Sequence, residues 1–273
     1  MSTITEHNVY DYKVTEAWEK KLAKGGYEPP PISLSLRIKI AFLTRTWRRI
    51  LRHTRLKLSD PVSVLEFGCG GGAQLIPLFA NGWACVGIDC SKEVLFRARQ
   101  HKEQVVNHKL TKKDNGSIHF IHDDFLDLTS DKQFDMTFQF GVLEHFLSAE
   151  KRKLYMHKMF DTVKPGGFVV NFVPNGEHLF RKKQKALQLG GYDIPEIDYS
   201  VESLKEEMLS CGASYAHVLP HDLMGSLKIR EEKGFKKLLN WGLYIIWQAS
   251  FLQKLPMYFQ RRHAFSLIGI GIK

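Results

Sequence analysis

Val62-Ser63-Val64-Leu65-Glu66-Phe67-Gly68-Cys69-Gly70-Gly71-Gly72-Ala73 is the stretch on which the reading of this chain turns. It begins as an apolar, β-branched run and ends in a cluster of glycines. Gln74-Leu75-Ile76-Pro77-Leu78-Phe79-Ala80 follows with amphipathic character. The order is strand, tight turn, helix. Glycines let the backbone take positive φ and approach a ligand closely. Pro77 falls early in the helix, where a missing N–H is best tolerated.

Two nucleotide-type readings compete at this turn. Gly68, Gly70 and Ala73 also satisfy the dinucleotide fingerprint G-x-G-x-x-G/A. Glu66 separates the readings. A carboxylate two residues before the first glycine sits at the carboxyl end of the strand, beside the ligand. It would repel a pyrophosphate and attract a ligand that carries an ammonium and a sulfonium.

On these residues the sequence resembles the class I S-adenosylmethionine (SAM)-dependent methyltransferases, whose first motif has the form of Leu65-Glu66-Phe67-Gly68-Cys69-Gly70-Gly71-Gly72. The rest of the chain supplies further ordered matches. Asn81-Gly82 turns into a second strand, Ala84-Cys85-Val86-Gly87-Ile88, which ends at Asp89-Cys90. An acidic residue there can accept both hydrogen bonds of a ribose diol, although a dinucleotide site would use it in the same way. Ser91 caps the next helix. Ser117-Ile118-His119-Phe120-Ile121-His122 alternates as a third strand and runs into Asp123-Asp124-Phe125. By the resemblance, Asp124 accepts from the adenine amino group and the Phe125 backbone reads the ring. Asp123 is a close alternative, and a plain Asp turn is the structural reading.

Phe134-Asp135-Met136-Thr137-Phe138-Gln139-Phe140 reads as the fourth strand. Gly141-Val142-Leu143-Glu144-His145-Phe146 after it resembles the G-x-x-E-H turn of many small-molecule and lipid methyltransferases. The resemblance places Phe140 and Gly141 against the cofactor, and Glu144 and His145 at the methyl acceptor. Histidine titrates near neutrality and is suited to take a proton; capping a helix start is the structural alternative. A helix over 150–163, then Lys164-Pro165-Gly166-Gly167, leads into a fifth strand at 168–173. A dinucleotide dehydrogenase has no need of that signature.

The totals bound the rest. The chain has 273 residues, 44% hydrophobic and 25% charged, with net charge +10, so a globular core is expected. The charge favours acidic partners without specifying one. The four cysteines, Cys69, Cys85, Cys90 and Cys211, form no C-x-x-C or His/Cys cluster. No metal is expected, and the thiols read as reduced and cytoplasmic. The N-terminus does not resemble a signal peptide, and no run is apolar enough to span a bilayer.

Outside the motifs, residues 9–24 read as a short helix; the resemblance makes Tyr10 and Tyr12 candidates to cap the cofactor, with packing against the domain as the structural alternative. Gly25-Gly26-Tyr27-Glu28-Pro29-Pro30-Pro31 reads as a linker. Residues 34–55 read as one longer helix with a basic face, for anionic substrate, membrane or RNA, or simply for solvent. Residues 1–58 are thus expected as a helical cap and 59–273 as the methyltransferase domain, with acceptor-side insertions at 174–198 and 222–260. His178 and Tyr192 in the first insertion, and His221-Asp222 after a sixth strand at 213–219, are weaker candidates. Ser200 caps a helix with Leu204, Met208 and Leu209 inward. The aromatic-rich segment 234–255 reads as a lid, a homodimer face, a peripheral membrane contact or a buried helix. His263 to Ile272 reads as the last strand.

The resemblance implies an α/β fold, a doubly wound, Rossmann-like seven-stranded sheet of order 3-2-1-4-5-7-6 with the last strand antiparallel. The expected activity is methyl transfer from SAM, leaving S-adenosylhomocysteine, to an oxygen, nitrogen or carbon of a small molecule. Glu66, Gly68, Cys69, Gly70, Asp89, Cys90, Asp124, Phe125, Phe140 and Gly141 would hold the cofactor. RNA methylation and non-catalytic SAM binding are the alternatives. The chain lacks a flipped-base motif, a catalytic Pro-Cys and a recognisable RNA module, which argues against nucleic acid.

Overall fold

The computed structural model describes residues 16–18, 20–112, 115–124, 133–186, 194–223 and 254–273. Seven strands form one sheet: β1 (Ser63–Phe67), β2 (Ala84–Asp89), β3 (Ser117–His122), β4 (Phe134–Phe140), β5 (Val163–Pro174), β6 (Tyr215–Leu223) and β7 (Ala264–Ile272). Their order is β3-β2-β1-β4-β5-β7-β6, as expected. The β3-β2-β1-β4-β5 pairings are parallel, and β7 runs antiparallel to both β5 and β6. The order reverses between β1 and β4, so the carboxyl ends of those strands flank the crevice where ligands bind in such sheets.

The strands read as apolar runs because both faces are covered. Val64, Met136, Phe138 and Val170 belong to one core, and Leu65, Phe67, Val169 and Val173 to the other. The helices α1 (Leu34–Phe42), α2 (Arg45–Thr54), α3 (Leu75–Ala80) and α4 (Lys92–Asn107) are followed by α5 (Ala149–Asp161), α6 (Arg181–Ala186), α7 (Val201–Ser210) and α8 (Met257–His263). Among the described residues no helix is long and apolar enough to cross a membrane.

Five expectations are corrected. The single helix over 34–55 is two helices. Leu43 takes φ 55°, and Thr44 caps α2 by accepting the Trp47 N–H. The break lets Leu36 and Ile40 bury at one angle and Trp47 and Ile50 at another, each contributing about 1.5–3 kcal/mol. The basic face of that stretch is not wholly solvated either: Arg49 is buried and donates to the Pro220 carbonyl. The Lys164 to Gly167 turn is absorbed into β5, as a register shift between Phe134 and Met136 with Gly166 at φ 76°. Leu209 is exposed rather than inward, and α8 precedes the last strand, which starts at Ala264.

Candidate functional site

The glycine turn is built by backbone geometry. Gly68, Gly70 and Gly72 take φ of 67°, 52° and 74°, the left-handed region where a side chain is strained. Space is short as well. A Cβ on Gly68 would lie 2.6 Å from Val142 Cγ2, and one on Gly70 2.8 Å from the Tyr27 ring. Asp89 at the end of β2 ties the turn down. Its Oδ2 accepts the Gly70 N–H at 2.9 Å and its Oδ1 the Ser91 N–H at 3.0 Å. Burial nevertheless raises the Asp89 pKa, the two backbone hydrogen bonds opposing it.

Glu66 lies at the base of this turn, 2% exposed, with Oε2 lacking a hydrogen-bond partner. Burial, then the neighbouring Asp89 charge, holds its pKa well above the usual carboxylate range. A buried carboxyl with an idle oxygen is costly unless something binds there. A cationic ligand group would supply the missing partner. Cys69 is placed differently. Its N–H pairs with Ile88 O, and its thiol is buried 2.7 Å from where a Gly87 Cβ would stand. Cys90 is exposed, and its carbonyl accepts from His122 Nε2. Asp124 is exposed, with its N–H bonded to Asp123 Oδ1. Phe125 lies outside the described residues.

Beyond β4 the turn is held by a residue the sequence reading passed over. Buried Gln139 accepts the Val142 N–H at 2.8 Å and donates to Asn171 and to the Phe172 carbonyl. Gly141, φ 76°, donates to Phe172 O. Phe140 stacks on Phe172, centroids 4.8 Å apart, and contacts Trp47. It therefore belongs to an aromatic wall at the ends of β4 and β5.

Glu144 and His145 lie in a single 3-10 turn and meet residues about fifty positions away. His145 Nδ1 donates to Pro195 O at 2.8 Å, and Ile197 N donates to Glu144 O at 2.8 Å. Since a carbonyl only accepts, Nδ1 carries the proton and Nε2 keeps its lone pair. Burial lowers the His145 pKa, and Lys21 adds to the effect. Glu144 is buried with Oε2 unpartnered, and burial plus the Glu196 charge push its pKa up to about 8. Ligand atoms of Glu144, His145 and Glu196 all lie within 4.8 Å of one another. Glu196 is in turn gripped by Arg181, which is 1% exposed, at 2.8 Å. Arg181 also pairs with Asp198, as does Lys185 at 2.8 Å. The described parts of the insertion are thus braced internally by ion pairs and joined to the turn by the hydrogen bonds at Pro195 and Ile197.

The N-terminal segment covers both halves. Tyr27 lies on Gly70 and Gly71. Trp18 packs edge-on against His145, centroids 5.5 Å apart, and Lys21 lies 4.2 Å over Trp18. Arg97 fixes the segment by donating to Gly26 O and pairing with Glu28. Tyr10 and Tyr12 lie outside the described residues, as do Tyr192 and the 234–253 part of the aromatic segment. The weaker candidates serve the framework. His178 is buried against Phe180 and Phe265. His221 shares a hydrogen bond with Thr46 Oγ1; Asp222 takes φ 53° beside it.

Sheet order, glycine turn and acidic residues at the ends of β1 and β2 define a class I, Rossmann-like SAM-dependent methyltransferase fold. Residues 64–167 match the family described as "Methyltransferase domain". The chain is 26% identical over 171 residues to a ubiquinone biosynthesis O-methyltransferase of Rickettsia akari, covering 62% of this chain and 60% of that protein. It is 33% identical over 131 residues to a probable fatty acid methyltransferase of Pseudomonas putida, covering 48% and 31%. The alignments therefore span less than two thirds of these curated relatives. Magnesium protoporphyrin IX methyltransferase from Synechocystis PCC 6803, solved with SAM, superposes at a TM-score of 0.54 with 13% identity over the whole of both chains. A SAM-dependent methyltransferase from Archaeoglobus fulgidus gives 0.53 at 14% identity, covering 88% of this chain and all of that one.

Proposed function

We propose that this chain transfers a methyl group from SAM to an acidic hydroxyl, phenol or enol, of a small molecule. The observation that carries the reading is His145, whose Nδ1 proton is committed to Pro195 O. Its Nε2 lone pair is free to take a proton, and its lowered pKa keeps the ring neutral at physiological pH. An imidazole is a weak base, so an acceptor of pKa near 10 suits it far better than an aliphatic alcohol. The O-methyltransferase relatives are in keeping with this choice.

SAM, when bound, supplies a methyl already activated on a sulfonium. The residues present fit it. The positive φ at Gly68 and Gly70 lets side-chain-free backbone face a ligand, and the idle Glu66 Oε2 is placed to accept from an ammonium. Glu66 would ionise on accepting it. Asp89 keeps the turn closed and retains lone pairs for a diol. The remaining work is alignment, since an oriented nucleophile can recover much of the entropy of a bimolecular step. In our reading the insertions at 174–198 and 222–260 select the acceptor, with Trp18 and Tyr27 excluding water from above.

Methyl transfer from labelled SAM to a panel of phenols, with His145→Ala in parallel, tests the reading. Transfer that falls about 100-fold or more in the variant supports it. Equal rates in both remove His145 from the chemistry. The Glu144-His145-Glu196 trio also has the donor set of a divalent-cation site, so the assay is repeated after chelation. Activity lost to the chelator and restored by magnesium would assign the trio to a metal instead.

A further inference from the structure

Between Glu28 and Asp60 the chain has eight arginines and lysines and no acidic residue, and nothing in the site above uses that run. The structure adds an independent feature to it. Helix α1 buries Leu36 and Ile40. A helix that only packs would turn a polar face outward. Instead Leu34, Ile38 and Phe42 recur at four-residue spacing and are 74%, 49% and 66% exposed. At about 100° per residue they fall in one arc about 80° wide, turned away from Leu36 and Ile40. Exposed Arg37 and Lys39 flank the arc on its two sides, and the Lys112 ammonium lies 5.8 Å over the Phe42 ring.

We infer that the outer face of α1 docks on an anionic lipid bilayer. The combination selects the partner. A nucleic acid matches the cations but has no use for three aligned apolar side chains. A second copy of this chain would match the apolar stripe but set Arg37 and Lys39 against like charges, on a chain of net charge +10. An anionic membrane surface satisfies both. The apolar arc enters the boundary between headgroups and acyl chains, and the flanking cations meet the anionic headgroups. The helix lies along the surface and does not cross it. The short linker from Glu28 to Ser33 joins it to Tyr27 on the glycine turn, so the docked face is one segment away from the site. The inference stands whether or not the proposed acceptor is correct.

Co-sedimentation of the full chain with vesicles tests it, comparing 30% phosphatidylglycerol in phosphatidylcholine with phosphatidylcholine alone. The expected result is binding to the anionic vesicles, at least tenfold weaker binding to the neutral ones, and release by high salt. Phe42→Ser is expected to weaken binding about tenfold, and Ile38→Ser/Phe42→Ser to abolish it. Both side chains are exposed, so circular dichroism and SAM binding should match the parent. Failure of the parent to bind, or a double variant that binds as well as the parent, overturns the inference. So does a parent that sediments as a dimer and a double variant that sediments as a monomer, which would give the face to a second copy.

Discussion

Glu144→Gln offers a test of the geometry around the Glu144-His145 turn that needs no substrate. Glu144 is buried, its Oε2 has no partner, and its pKa rises from 4.5 to about 8 through burial and the Glu196 charge. The sign follows from linkage. Below pH 4.5 the carboxyl is protonated in the folded and unfolded chains alike. Between 4.5 and about 8 only the unfolded chain ionises, so stability is lost steadily as pH rises through that window; above it the loss levels off. At about 1.4 kcal/mol per pH unit the window spans about 5 kcal/mol. Local relaxation removes part of this, leaving on the order of 3 kcal/mol. Glutamine has the same shape and no charge to lose. The difference in thermal midpoint between Glu144→Gln and the parent, without cofactor, should therefore widen in the variant's favour by about 6 °C from pH 5 to pH 8. A difference that stays flat across that range would refute the buried, unpartnered carboxyl.

Three further outcomes follow from the same geometry. Arg181→Met leaves Glu196 without its buried partner and should cost about 3–5 kcal/mol, read by urea denaturation, with methyl transfer falling alongside. The acidic limb of the pH–rate profile should lie below pH 6.5, because burial lowers the His145 pKa, and it should disappear in a residual-activity profile of His145→Asn. Gly70→Ala should fold less stably by about 1–2 kcal/mol and bind SAM weakly, since its φ of 52° and the Tyr27 ring leave no place for a methyl group; melting curves with and without SAM read both effects.

The sheet was legible because its signals are local. β-branched runs ended by glycine, Asp-Cys or Gly-x-x-Glu-His mark the strand ends directly, and β3 and β4 begin and end where the alternation says. The glycine turn was legible for the same reason. The surroundings of Glu144 and His145 were not. Glu196 and Arg181 reach His145 only through the folded chain, and nothing near either residue announces the other. Tyr27 sits in what reads as a Gly-Pro linker, yet Arg97, about seventy residues on, pins that segment to the glycine turn. Gln139 looks like one more strand position until its amide is seen bridging two strand ends. The helix break at Leu43 left a trace, since Thr44 precedes Trp47 at capping distance, but the continuous apolar periodicity masks it.

Calorimetric titration with SAM and S-adenosylhomocysteine, for the parent, Glu66→Gln and Asp89→Ala, tests the central claim most directly. The account predicts saturable binding of both ligands by the parent. Binding should weaken roughly 10- to 100-fold in each variant, since each removes a charge-assisted hydrogen bond worth about 1.5–3 kcal/mol. The parent should also release protons on binding, as Glu66 ionises against the ligand's ammonium, seen as an enthalpy that changes with the buffer. A folded parent that binds neither ligand would contradict the assignment of this crevice to SAM.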